Sequence, residues 1–204
     1  MKFINKFLFV SFIFLFASCG DFTELDFLDD PNEVAPENAN IDNLFNNIQL
    51  QFENYLDAIW FNTAGMARMI AHTGAYDYFS ATAPTDWDFE WEVAYARILT
   101  DVQALEVIAS EQNLDVHSGA AKVMQAYILT SLVDLFGNVP YTDALKGTEV
   151  ISPGVDNGAD IYAAANSLLD QAISQLSGTS ARSPVNDLFY GGSASGWLKA
   201  AHQR

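Results

Sequence analysis

Carboxylates and aromatic rings alternate in the segment Asp86-Trp-Asp-Phe-Glu-Trp-Glu92, the densest concentration of chemically useful side chains in this 204-residue chain. Two kinds of chemistry draw on such a set. Carboxylates opposed across a glycosidic bond perform acid/base hydrolysis, whereas aromatic faces stack on sugar rings while carboxylates accept hydrogen bonds from hydroxyls. Binding is favoured, because hydrolysis needs two carboxylates across the bond with their pKa values pushed apart, and residues two apart on a solvated chain do not provide that. Within the segment, Glu90, Trp91 and Glu92 read as the start of a helix, with Trp91 on its core face and the acids in a negatively charged first turn that suits the helix dipole. Trp87 differs. Together with Tyr76, Tyr78 and Phe79 it lies in a stretch without helical period, where an aromatic ring has less reason to serve packing. These four rings, with Asp77 and Asp86 as polar partners, are the candidate ligand contacts, and packing within the loop is the rival reading.

Other chemistries lack their residues. His72, His117 and His202 are far apart and none stands at i, i+4 from another, so the sequence supports no zinc site. No Gly-x-Ser-x-Gly elbow occurs. Asp29, Asp30 and Asn32 beside Pro31 do not make an ordered calcium loop. Tyr190-Gly-Gly192 has no following lysine and is no phosphate loop, and Phe136-Gly-Asn-Val-Pro-Tyr141 is explained residue by residue as a turn. No cofactor is expected, and the chain reads as a non-enzyme.

The single cysteine, Cys19, ends a segment with the anatomy of a lipoprotein signal: Lys2 and Lys6, an apolar run from Phe7 to Phe16, and Ala17-Ser18. Residues 1–18 are expected to be removed and Cys19 acylated, with palmitate among its chains; an ordinary secretory signal is the alternative. Loss of Lys2 and Lys6 leaves seven of nine basic residues against all 26 acidic ones, a balance of −19. A surface this acidic repels nucleic acid and anionic headgroups, so membrane attachment rests on the lipid.

The elements that must position the loop are helical. Residues 19–40 are acidic, broken by Pro31 and Pro36, and read as an extended tether ahead of a domain at 41–204. Asp42 is expected to cap one helix or two, continuing past Gly65 to Gly74. Apolar spacing predicts a helix from about Glu90 to Gln112-Asn113, and another from Ser118 with Met124, Tyr127, Leu132 and Phe136 on one stripe, stopped by Gly137. Asp156 or Asp160 opens a further helix through Ile161, Tyr162, Leu169 and Leu176 to Gly178, and Trp197 to Arg204 reads as the uncapped start of another, as in the front part of a longer protein. The fold class is all-α: tetratricopeptide-like antiparallel helix hairpins with long loops, without a strict 34-residue repeat.

Several of these segments together resemble the SusD/RagB group of outer-membrane lipoproteins from Bacteroidetes. The resemblance is carried by Cys19 with acidic residues after it, Phe27-Leu-Asp-Asp-Pro-Asn32, and Leu132-Val-Asp-Leu-Phe-Gly-Asn-Val-Pro-Tyr141. Leu168-Leu-Asp-Gln-Ala-Ile173 and Asp187-Leu-Phe-Tyr-Gly-Gly192 before Trp197-Leu-Lys-Ala-Ala201 complete it. It implies a helical scaffold on the cell surface, sitting over a SusC-like TonB-dependent transporter and capturing a nutrient, most often a glycan. It also implies a ligand site built partly from loop aromatics of this early region, and outward sorting by Asp21, Glu24 and Asp26. The other readings are a protein-interaction scaffold with no ligand, and a glycoside hydrolase using Asp86 and Glu90.

Overall fold

The computed structural model describes residues 40–71 and 83–203, in which the regular structure is α-helical apart from short 3-10 turns, one π-helical segment and one isolated antiparallel bridge, Val139 to Asp156, with irregular connections over 137–157 and 178–193. Helix α1, Ile41–Met66, buries Ile41, Phe45, Ile48, Phe52 and Tyr55, a spacing of three and four that puts every one on the same stripe. Each such side chain taken from water contributes about 1.5–3 kcal/mol. The cap is Asn40, whose side-chain oxygen accepts from the Asp42 amide at 2.9 Å, and not Asp42 as the sequence suggested. Asp42 is thereby left for longer-range bonds. The helix is single, and it stops at Met66 instead of running to Gly74, because Arg68 adopts a left-handed φ of 58°. The amides of Arg68 and Met69 then turn back to the carbonyls of Gly65 and Ala64, closing the end in the pattern usually built on glycine.

After a 3-10 turn, Pro84–Trp87, three consecutive pieces follow: α2, Asp88–Trp91, a π-helical segment, Glu92–Leu99, and α3, Thr100–Gln112. The wider turn shows in bonds spaced by five, Arg97 to Glu92 at 2.6 Å and the Thr100 hydroxyl to the Tyr95 carbonyl at 2.8 Å. Asn113, at φ 54°, closes α3 where the sequence placed its end. Helix α4, Asp115–Phe136, starts three residues before the expected Ser118 and ends at Gly137, φ 80°. Asn157, and not Asp156 or Asp160, caps α5, Gly158–Ser177, by accepting from the Ala159 amide at 2.9 Å. Ser193 caps α6, Ala194–His202.

Cross-contacts fix the directions. Phe45 lies against His117 and the Tyr55 hydroxyl bonds Ser131 at 2.8 Å, so α1 runs parallel to α4. Asn47 bonds Asp101 while Tyr95 reaches the Pro140 carbonyl, which makes the α2–α3 run antiparallel to both. Helix α5 returns antiparallel along α4, with Tyr162 bonded to Asp134 at one end and Leu176 over Gly119 at the other. Consecutive antiparallel hairpins around a central α4 are the all-α arrangement expected. Gly119 allows a close approach: a Cβ there would meet Leu176 Cγ at 2.7 Å.

Candidate functional site

The segment that opened the sequence argument sits at the end of the bundle where α1 finishes and α2 begins. Asn62 joins the two elements, donating to the Asp86 carbonyl at 3.4 Å and to Glu90 Oε1 at 2.7 Å. The exposed carboxylate of Asp86 accepts the Ala83 amide at 3.1 Å and so fixes the entry into the 3-10 turn. Trp87 is only 7% exposed, with its indole edge-on to Phe136 at 5.3 Å. Trp91 stacks on Tyr95 and leans on the same Phe136, so two tryptophans of this region converge on the last residue of α4. Phe89, 46% exposed, faces outward with the Arg97 guanidinium 6.0 Å from its ring centre. Trp60, near the end of α1, is also exposed. Of the six candidate ligand contacts, Asp86 and Trp87 are placed in this way; Tyr76, Asp77, Tyr78 and Phe79 lie outside the described residues.

Glu90 departs from the solvated first-turn acid of the sequence reading. It does stand in the first turn of α2, but it is 1% exposed, and its Oε2 finds no hydrogen-bond partner among the described residues. Burial pushes its carboxyl above the usual carboxylate range, the charge of Asp86 adds to the shift, and the bond from Asn62 opposes it. The outer end of the hairpin thus combines a buried acid, a bonded amide and exposed rings.

A second concave feature was not legible in the sequence. A groove of about 620 Å³ runs along α4, between α1 and α5, and is closed at one end by the Phe189-Tyr190 turn and α6. Tyr127 was expected on the buried stripe of α4 but is 53% exposed on this groove, edge-on to Phe52 at 5.6 Å. Tyr162, also read as a core residue, is exposed there and donates its hydroxyl to Asp134. The turn owes its shape to Asp187, whose Oδ1 accepts the amides of Phe189 and Tyr190 and whose Oδ2 accepts the Gly192 amide and the Trp197 indole N–H. The structural role read for the Gly-Gly pair agrees with the left-handed φ of Gly191 and Gly192. Among the described residues, no group of acidic, histidine or cysteine side chains could hold a metal ion, and no helix is long and apolar enough to cross a membrane.

A family model described as SusD-like, starch-binding and associating with the outer membrane, matches residues 31–203. The chain belongs to the SusD-like family. Among solved structures, a SusD/RagB family protein from Bacteroides thetaiotaomicron VPI-5482 shares the fold, with a TM-score of 0.57 and 21% identity over 83% of this chain and 36% of that one. A structure described as a chitin-binding protein is 31% identical over 54% of this chain and 24% of its own length, with a TM-score of 0.47. This SusD-like chain therefore spans little more than a third of the SusD/RagB structure it matches. No curated protein matches it. In sequence the Asp86–Glu90 corner follows residues 72–82, and Phe136, which opens the Phe136-Gly-Asn-Val-Pro-Tyr141 turn, packs against Trp87 and Trp91.

Proposed function

We propose that this SusD-like chain is a lipid-anchored protein of the outer cell surface that captures a glycan and passes it to a SusC-like TonB-dependent transporter. The family match over residues 31–203 carries the reading, because that family is described as starch-binding and associating with the outer membrane. The lipoprotein signal ending at Cys19 supports the anchor, and the excess of acidic residues leaves the lipid as the means of attachment. The ligand contacts are assigned to Tyr76, Asp77, Tyr78 and Phe79, with Asp86 and Trp87 at the edge of the same segment. Sugar rings present a flat apolar face and equatorial hydroxyls, which aromatic side chains and carboxylates match.

Binding is preferred to hydrolysis on the state of the two acids. Glu90 is buried and only Asp86 is exposed, so the two do not form a pair of open carboxylates across a cleft. A scaffold without a ligand is the second reading, favoured by the packing of Trp87 on Phe136. The test uses the Cys19→Ser form, without the lipid, incubated with polysaccharides and oligopeptides, with retention and cleavage both read by mass spectrometry. Retention without cleavage is expected, lost in Tyr78→Ala; cleaved products would replace binding with hydrolysis, and no retention would leave the scaffold. Separately, Cys19→Ala is expected to move the protein from the membrane fraction to the soluble one.

A further inference from the structure

Asn157-Gly158 is the one Asn-Gly pair in the sequence, and it stands at the start of α5. Each residue has a structural reason. Asn157 is exposed and caps the helix, its side-chain oxygen accepting the Ala159 amide at 2.9 Å. Gly158 is buried against α4, where a Cβ would stand 2.9 Å from Val133 Cγ1 and 3.3 Å from the Gly137 carbonyl oxygen. The pair that satisfies both demands is also the one most open to internal attack. Gly158 has no side chain to shield its backbone nitrogen, and glycine's conformational freedom lets that nitrogen approach the side-chain carbon of Asn157. Attack forms the N–Cγ bond and expels the side-chain amide as ammonia, which carries off the Gly158 amide proton. Water then opens either carbonyl of the five-membered imide, leaving aspartate or isoaspartate.

In the fold, three features stand against that attack. The imide ring closes only when the Gly158 nitrogen eclipses Cβ about the Cα–C bond of Asn157, and the observed ψ of 133° holds it far from there. The Gly158 N–H donates to Asn138 Oδ1 at 3.0 Å, which keeps the proton on and the nitrogen in place. On the other side, Asp156 is fixed to the same turn, its amide on the Val139 carbonyl and its carboxylate on Tyr141 and Thr142. Turning ψ therefore parts Gly158 from Asn138 and pulls the first turn of α5 off the end of α4. We propose that Asn157 is a latent site of spontaneous deamidation, guarded by Asn138, and that the reaction proceeds only from the opened first turn of α5. Opening of a helix end costs less than global unfolding, so the modification reports on that joint and not on the whole domain. Isoaspartate adds a carbon to the backbone between the Asp156 bridge and the seat of Gly158 on Val133, so the opened turn does not close again as before.

The experiment follows deamidation of the Cys19→Ser form at neutral pH, native and in urea, by mass spectrometry of proteolytic peptides, with isoaspartate separated from aspartate by chromatography. In urea Asn157 is expected to convert ahead of every other asparagine, Asn166-Ser167 included. In the native protein it is expected to convert more slowly by at least roughly tenfold, a ratio that a single hydrogen bond can control. Asn138 is exposed, and Asn138→Ala, which removes the acceptor, is expected to raise the native rate roughly fivefold. Asn138→Asp still accepts the Gly158 N–H and should stay near the parent. Circular dichroism checks the helix content of both variants, and Asn138→Ser takes the place of Asn138→Ala if the alanine form loses its helices. Equal rates in the native protein and in urea would overturn the proposal, as would another asparagine converting first in urea. A native rate unmoved by Asn138→Ala, or raised equally by alanine and aspartate, would remove Asn138 as the guard. Glycan capture plays no part in this readout, so either idea can fail alone.

Discussion

A single carboxylate, Asp187, gathers four N–H donors and shapes the turn from Leu188 to Ser193. Removing it leaves buried donors without acceptors, and Asp187→Ala is expected to cost about 3 kcal/mol in urea denaturation, with Asp187→Asn recovering part. Trp197 fluorescence should shift with the loss, since its indole N–H is one of the four. An unchanged denaturation midpoint would show that water replaces the carboxylate. Glu90 makes the opposite statement about charge. Burial raises its folded-state pKa above that of the unfolded chain, so folding holds a proton that the unfolded chain releases, and ionised Glu90 opposes folding at neutral pH. Glu90→Gln keeps an acceptor for Asn62 and removes the charge, so it should raise stability at pH 7. The advantage should shrink as pH falls through the folded pKa and vanish below about 4.5. An equal gain at pH 7 and pH 4, read from urea midpoints, would remove ionisation as the cause.

At the scale of elements, a tight constraint lies where α4 packs on α5 at Gly119. Gly119→Ala gains in helix propensity but puts its methyl carbon into Leu176, and overpacking of this kind costs about 1–3 kcal/mol, more than propensity returns. The thermal midpoint of Gly119→Ala should fall, and Leu176→Ala placed beside it should cost less than in the parent chain. Additive losses in the double mutant would mean the two side chains do not meet. Apolar spacing made the helices and their order legible, and Asn113, Gly137 and Gly178 marked their ends as read. The end of α1 was hidden because an arginine occupies the left-handed position where glycine is the usual signal. The caps slipped by one or two residues because Asn and Asp compete for the same role, and Asn40 and Asn157 took it while Asp42 and Asp156 bound elsewhere. The π-helical turn and the groove had no periodic signature: Tyr127 and Tyr162 occupy apolar-stripe positions, and only the placement of α1, α5 and the 189–190 turn shows which face stays open.

Across the whole molecule, the family and the all-α architecture were readable, because the Gly-Asn-Val-Pro-Tyr and Phe-Tyr-Gly-Gly turns follow helices in that order and spacing. The candidate site was readable only as a composition of rings and acids; of its described members, burial of Trp87 depends on Phe136, 49 residues further on. If Phe136 anchors the exit of the 72–82 segment, Phe136→Ala should weaken glycan retention severalfold while sparing the far end of the bundle. Hydrogen exchange would separate the two, with faster exchange confined to residues near 84–95. Exchange rising throughout α4 instead would make Phe136 a general core residue.

Asp42 joins parts of the chain that are remote in sequence: its carboxylate meets His117, Arg182 and the Val185 amide, across 75 and 143 residues in the two bonds from His117 and Val185. Closing so long a loop costs more chain entropy than forming the helix and hairpin contacts between neighbouring segments. That joint is expected to form after the transition state, in the final stage of folding. Asp42→Ala should leave the refolding rate nearly unchanged and quicken unfolding, so that the residue acts on how long the native state lasts once formed.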